Sequence, residues 1–75
     1  MEVLLSEIFE PSKLIITRIL SSDLEAKFTE MGLVSNKEIE WLFCAPLKDP
    51  IAIEVDDYTL SLRRDEAQFI VVHKI

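Results

Sequence analysis

The sequence predicts a mainly β fold: a small, closed or nearly closed barrel of about five antiparallel strands with one short α-helix. Three observations predict it. Nine Ile and five Val stand among the 75 residues, and β-branched side chains favour strands. Apolar and polar residues alternate through much of the second half, the period of a pleated strand. Only one stretch keeps a helical period, and it is short. A chain of this length, 49% hydrophobic, is one domain, residues 1–75, with material for one small core.

Each element follows from local chemistry. Leu4 to Phe9 is a short amphipathic segment running into a turn at Glu10-Pro11-Ser12, since Pro followed by a small polar residue favours turns. Lys13 to Leu20 reads as a strand, apolar on both faces near its middle as a central strand would be. Ser22 with Glu25 three residues on forms a capping box. Leu24, Phe28 and Met31 then recur on one helical face, and Gly32 stands where a helix stops in a left-handed residue. The helix is therefore expected over Ser22 to Met31. Asn36 marks a turn, being tolerant of left-handed backbone. Glu38 to Ala45 is a strand with Ile39, Trp41 and Phe43 on one face. Pro46 to Pro50 breaks it. Ile51 to Val55, a tight turn at Asp56-Asp57, and Tyr58 to Leu62 form a hairpin. Arg63 to Ala67 reads as one helical or 3₁₀ turn and Phe69 to Ile75 as the last strand. The expected core is Ile15, Ile39, Trp41, Ile53, Leu60, Leu62 and Ile70, with Leu24 and Phe28 covering one end.

Composition excludes several functions. Eight Lys and Arg against 14 Asp and Glu leave a net charge of −6, which disfavours nucleic acid and anionic lipid. One cysteine, Cys44, precludes an internal disulfide and a thiolate-rich zinc site. One glycine precludes a phosphate-cradling loop. His73 is the single histidine and lies in an apolar strand, so a nucleophile–base pair with Cys44 is not expected. Glu38, Glu40, Glu54, Asp56 and Asp57 could share a face, and oxygen ligands suit hard cations. A solvated exterior accounts for them better, and no metal or cofactor site is read. Arg63 and Arg64 are expected to pair with nearby acids. The N-terminus carries no signal-peptide pattern, and the longest nearly apolar run, Trp41 to Leu47, is far short of a bilayer span. A cytosolic protein is expected.

Three stretches, taken in order, resemble a known family. Glu30-Met31-Gly32-Leu33 follows the helix, Ala45-Pro46-Leu47-Lys48-Asp49-Pro50-Ile51 follows a strand, and Asp57-Tyr58-Thr59-Leu60-Ser61-Leu62-Arg63-Arg64-Asp65-Glu66-Ala67 follows the next. Together with the Leu5-Ser6-Glu7-Ile8 opening they are similar to ferrous iron transport protein A, FeoA, over essentially the whole chain. The resemblance implies a Src-homology-3-like barrel without enzymatic activity. It also implies a cytosolic accessory role beside FeoB, the membrane GTPase-coupled ferrous iron transporter. The same domain type closes the iron- and manganese-dependent repressors of the diphtheria-toxin-repressor class. The chain departs from the family at Pro11-Ser12 and Ser35-Asn36, where Pro-Gly is usual, and at Lys48, where Gly is usual. Lys48 in a left-handed conformation would cost roughly 1 kcal/mol, so that turn is expected to differ in shape.

Three functional readings follow. The first is an interaction module for the cytosolic part of a FeoB-type transporter. The second is a small metal-sensing or metal-carrying protein using surface carboxylates with His73 or Cys44. The third is a detached repressor-type interaction domain. The low count of imidazole and thiolate ligands favours the first over the second. Its candidate contact residues are Leu47 and Lys48, in a turn between two prolines, and Leu33 with Leu24 and Phe28 at the helix. An apolar barrel of this size could also self-associate.

Overall fold

The computed structural model describes residues 1–75. Six strands form one sheet: β1 (Glu2–Leu4), β2 (Ser12–Ile19), β3 (Glu38–Cys44), β4 (Ile51–Val55), β5 (Tyr58–Leu62) and β6 (Ile70–Lys74). The order is β1-β6-β2-β3-β4-β5, with every neighbouring pair antiparallel. Two helices accompany the sheet, α1 (Ser22–Glu30) and α2 (Arg64–Ala67), and short 3₁₀ turns span Leu5–Glu7 and Pro46–Lys48. The sheet curls around one apolar core and makes the small Src-homology-3-like barrel. Its ladder stays open, because β1 and β5 each pair with one neighbour only.

The sixth strand corrects the expected five. β1 has three residues, too few for a two-residue period to register, and its partner β6 lies some 70 residues away. A local pattern carries no trace of such a pairing.

The core holds Leu14, Ile16, Ile39, Trp41, Ile51, Ile53, Val55, Leu62, Ile70 and Val72 from the sheet, with Leu5, Phe28, Leu33 and Ala67 from the segments around it. Ile15 is not among them. It is half-buried, while Leu14 and Ile16 point inward, because three consecutive aliphatic residues give no clue to which parity faces the core. Leu60 and Leu24 pack at the core's edge. Phe43 is a larger correction. A bulge between Trp41 and Phe43 sets Trp41 opposite Ile53 and Phe43 opposite Ala52. The extra residue on β3 breaks the alternation, and Phe43 turns outward, 60% exposed.

The helix is punctuated at both ends. Its N-cap is Ser21 rather than Ser22: the Ser21 Oγ accepts the Leu24 N–H at 3.3 Å. At the other end Gly32 takes φ +84°. The Leu33 N–H donates to the Phe28 carbonyl at 2.8 Å and the Gly32 N–H to the Thr29 carbonyl at 3.0 Å, the paired bonds of a Schellman closure. That closure brings the two flanking apolar residues together, and Phe28 and Leu33 are both fully buried. The Tyr58 hydroxyl, from the hairpin, donates to the Met31 carbonyl. A Cβ on Gly32 would come within 3.4 Å of that hydroxyl and of Val55 Cγ1.

Lys27 of α1 pairs with Glu66 of α2. The hydrogen bond from Lys27 holds the Glu66 carboxyl below the ordinary carboxylate range, against an opposing desolvation. A carboxylate depressed in the folded state contributes stability above its unfolded pKa of about 4.3, and that contribution is lost as pH falls through the lower folded value.

Two outcomes follow. In urea melts, Ser21→Ala should cost about 0.5–2 kcal/mol, as loss of an N-cap does, and Ser22→Ala less; Gly32→Val should cost more than either, since a β-branched residue is strained at positive φ. Lys27→Ala should cost about 0.2–1 kcal/mol near neutral pH, the range of exposed ion pairs. That difference from the parent should vanish in melts run below the folded Glu66 pKa.

Candidate functional site

The β3–β4 connection leaves one large apolar side chain, Leu47, in solvent. The Ala45 N–H donates to the Pro50 carbonyl at 2.9 Å and closes the base of the loop. The Lys48 N–H donates to the Ala45 carbonyl at 2.8 Å and closes its tip. Leu47 and Lys48 follow Pro46 with φ of 68° and 69°. Left-handed backbone costs a non-glycine residue about 1–2 kcal/mol, so this tip is held by its surroundings. The turn thus takes the left-handed conformation at Lys48, with Leu47 left-handed as well. Leu47 stands 97% exposed, against a transfer preference for burial of roughly 1.5–3 kcal/mol.

Further apolar surface lies at the same end of the sheet. Ser12, the first residue of β2, pairs with Trp41 near the end of β3, so Phe9, which precedes β2, and Phe43, which pairs only with β4, lie at one end of the sheet, beside the loop. Phe9 is 54% exposed, and its ring lies 3.9 Å from the Arg64 Cζ and 5.5 Å from the Lys48 Nζ, measured to the ring centroid. Arg64 is not paired with acids as expected. Its Nε donates to the Lys48 carbonyl at 2.5 Å, and its Nη1 donates to the carbonyls of Ser6 at 2.7 Å and Ile8 at 3.1 Å. Asp49 Oδ1 accepts the Arg64 backbone N–H at 3.1 Å.

The helix candidates fare differently. Leu33 and Phe28 are core residues, bound together by the helix closure, and offer nothing to a partner in this conformation. Leu24 is half-buried against the core. The sequence did carry a signal for Leu33: an apolar residue just after a helix-stopping glycine is the position that packs back on the last turn. For Phe9 and Phe43 the signal was absent, since one depends on a bulge and the other on a turn's direction.

The carboxylates expected to share a face do so in part. Glu38, Glu40, Glu54 and Asp56, with Lys13, Ile39 and Ile75, line an open basin of about 300 Å³. Glu40 and Glu54 are cross-strand partners and Lys13 sits opposite Glu40. No three His, Cys, Asp or Glu side chains converge closely enough to hold a metal ion. Cys44 on β3 and His73 on β6 are separated by β2; Ile15 pairs with both His73 and Glu38, which leaves Cys44 roughly 20 Å farther along β3, and the two form no dyad.

A curled antiparallel sheet of this order, with a capped helix crossing between its second and third strands, defines a Src-homology-3-like domain. The chain belongs to the FeoA family: the FeoA domain model matches residues 3–74. It is 39% identical over 72 residues to an Fe(2+) transport protein A/Fe(2+) transporter FeoB fusion protein of Porphyromonas gingivalis. That match covers 95% of this chain and 8% of the fusion protein's length. Its fold matches the FeoA-like protein of Clostridium acetobutylicum with a TM-score of 0.90 at 36% identity, covering 99% of this chain and 87% of that one. It also matches the manganese-activated repressor ScaR in its apo form, with a TM-score of 0.88 at 30% identity over 97% of this chain and 35% of that one. In the fusion protein an FeoA domain and an FeoB transporter share one polypeptide. No helix of the present chain is long and apolar enough to cross a membrane.

The two leucines should separate cleanly in thermal melts. Leu47→Asp should shift the melting temperature by no more than a degree or two, because its side chain meets only solvent. Leu33→Ala should cost about 2–5 kcal/mol, the range for emptying a buried leucine site.

Proposed function

We propose that this chain is a cytosolic accessory protein of ferrous iron uptake that docks on the cytosolic part of a FeoB-type transporter. The observation that carries the reading is the fused relative, in which a domain 39% identical to this one is covalently joined to such a transporter. A fusion makes sense where two parts act together, since linkage raises their effective concentration for one another. The contact we assign to the loop end: Leu47 as the anchor, Phe9 and Phe43 as apolar flanks, and Lys48 as a rim charge. Aromatic and aliphatic anchors dominate interface energies, and rim charges contribute little. A built loop that holds a leucine in water against its transfer preference suits such an anchor.

A second reading keeps the surface and changes the partner. The likeness to ScaR allows a domain that docks on a repressor-type protein instead.

The test is binding of the purified chain to the purified cytosolic part of the FeoB-type transporter, measured by calorimetry. Leu47→Asp should weaken binding by at least thirtyfold, a change of about 2 kcal/mol; Lys48→Ala should change it less than threefold. Undiminished binding by Leu47→Asp would remove the loop from the interface. No binding by the parent chain would turn attention to the repressor-type partner.

A further inference from the structure

We propose that Arg64 is the positioning residue that holds the Leu47 loop in its displayed shape, an inference that rests on the docking role given to that loop. Leu47 and Lys48 are consecutive left-handed residues without a glycine between them. Such backbone persists only where neighbouring structure fixes it. The loop's own hydrogen bonds close its base and tip, at Ala45–Pro50 and Lys48–Ala45. What ties the tip to the rest of the molecule is Arg64. Its Nε donates to the Lys48 carbonyl at 2.5 Å, and Asp49 Oδ1 accepts its backbone N–H at 3.1 Å. These two bonds grip the loop just after Leu47.

The other side of the guanidinium is anchored independently. Nη1 donates to the Ser6 and Ile8 carbonyls, at the end of the 3₁₀ turn, and the guanidinium carbon lies 3.9 Å from the Phe9 ring centroid. The planar fork of an arginine can serve carbonyls on both sides at once; a lysine, with one nitrogen on a flexible stem, cannot. The N-terminal turn and the loop are therefore joined through one side chain, with the Arg64 and Lys48 cations both near the Phe9 ring. The consequence is that replacing the Arg64 side chain removes the Nε grip on the Lys48 carbonyl and loosens the tip without opening the sheet, while the Asp49 bond to the residue 64 backbone N–H persists, and weakens docking although residue 64 need not touch the partner.

The experiment compares the full chain with Arg64→Lys, Arg64→Met and Phe9→Ala, by amide NMR, hydrogen exchange and binding to the purified cytosolic part of the transporter. Arg64→Lys and Arg64→Met should displace or broaden the amide resonances of Leu47, Lys48 and Asp49. The Lys48 amide should exchange at least tenfold faster, amides of β2, β3 and β4 should stay in place, and affinity should fall at least tenfold. Phe9→Ala, at a half-exposed position, should disturb the same loop amides to a smaller degree and decides the matter should the Arg64 variants fail to fold. Unmoved loop resonances overturn the inference, as do shifts spread evenly through β2, β3 and β4. A released loop with unchanged affinity overturns the positioning role, provided Leu47→Asp abolishes binding. If Leu47→Asp leaves binding intact while Arg64→Lys frees the loop, the docking role is what fails, and the hold of Arg64 on the loop stands.

Discussion

A single guanidinium ties together three parts of the chain that sequence keeps far apart. Arg64 opens α2, its Nη1 holds the carbonyls that end the N-terminal 3₁₀ turn, and its Nε holds the carbonyl at the tip of the β3–β4 loop. None of these acceptors is a carboxylate. The charge is accommodated by backbone dipoles and by the Phe9 ring, and one nitrogen, Nη2, is buried without a partner. An unsatisfied buried donor costs about 1–3 kcal/mol. The remaining bonds offset that cost because each fixes a carbonyl that no strand ladder would satisfy. The end of the barrel away from the β4–β5 turn is thus organised by one arginine, much as the opposite end is organised by Gly32 and Tyr58.

That opposite end works by a different device. The helix closure at Gly32 turns the chain so that Leu33 folds back on Phe28, and Tyr58 reaches from the hairpin to the Met31 carbonyl just past the helix. Asn36 and Asp56, also left-handed, make the neighbouring turns. Lys37 bridges them by its ion pair to Asp56 at 3.1 Å. The Asn36 N–H donates to the Ile16 carbonyl at 2.7 Å, and the Ile16 N–H to the Lys37 carbonyl at 2.9 Å. These contacts hold the turn after α1 against the centre of β2. The result is a closely bonded helix-and-hairpin end at one side of the barrel and an exposed loop at the other.

What could be read from the sequence follows from the range of each interaction. The capped helix, its glycine stop, the Asp56-Asp57 hairpin and the helical turn after Leu62 rest on residues within four or five positions, and each was legible. The N-cap slipped by one residue because Ser21 and Ser22 are chemically equivalent there, and only the backbone decides which hydroxyl meets the Leu24 amide. β1, the outward turn of Phe43 and the inward parity of Leu14 and Ile16 depend on partners or bulges that no local period records. The candidate site divides the same way. Leu47 stood out as a leucine between prolines. Arg64 did not, because a cation next to Asp65 and Glu66 reads as a neutralised turn, and its true acceptors are carbonyls, which every residue carries alike.

Displaying apolar side chains carries a risk that the rest of the surface offsets. Leu47, Phe9 and Phe43 are exposed, and β1 and β5 leave two sheet edges unpaired, both conditions that invite self-association. The net charge of −6 on so small a body opposes it, because two copies repel at long range. The repulsion acts on every encounter between copies, whereas the apolar end attracts only at contact. Lys48 and Arg64 both lie near the Phe9 ring, so cations stand beside the exposed apolar side chains of that end. A copy approaching with its own cationic rim meets like charge at that end. A partner with an apolar pocket bordered by carboxylates meets both attraction and fit. An apolar end edged by cations is better matched to a partner of complementary charge than to a twofold contact with itself, which would bring like charges together.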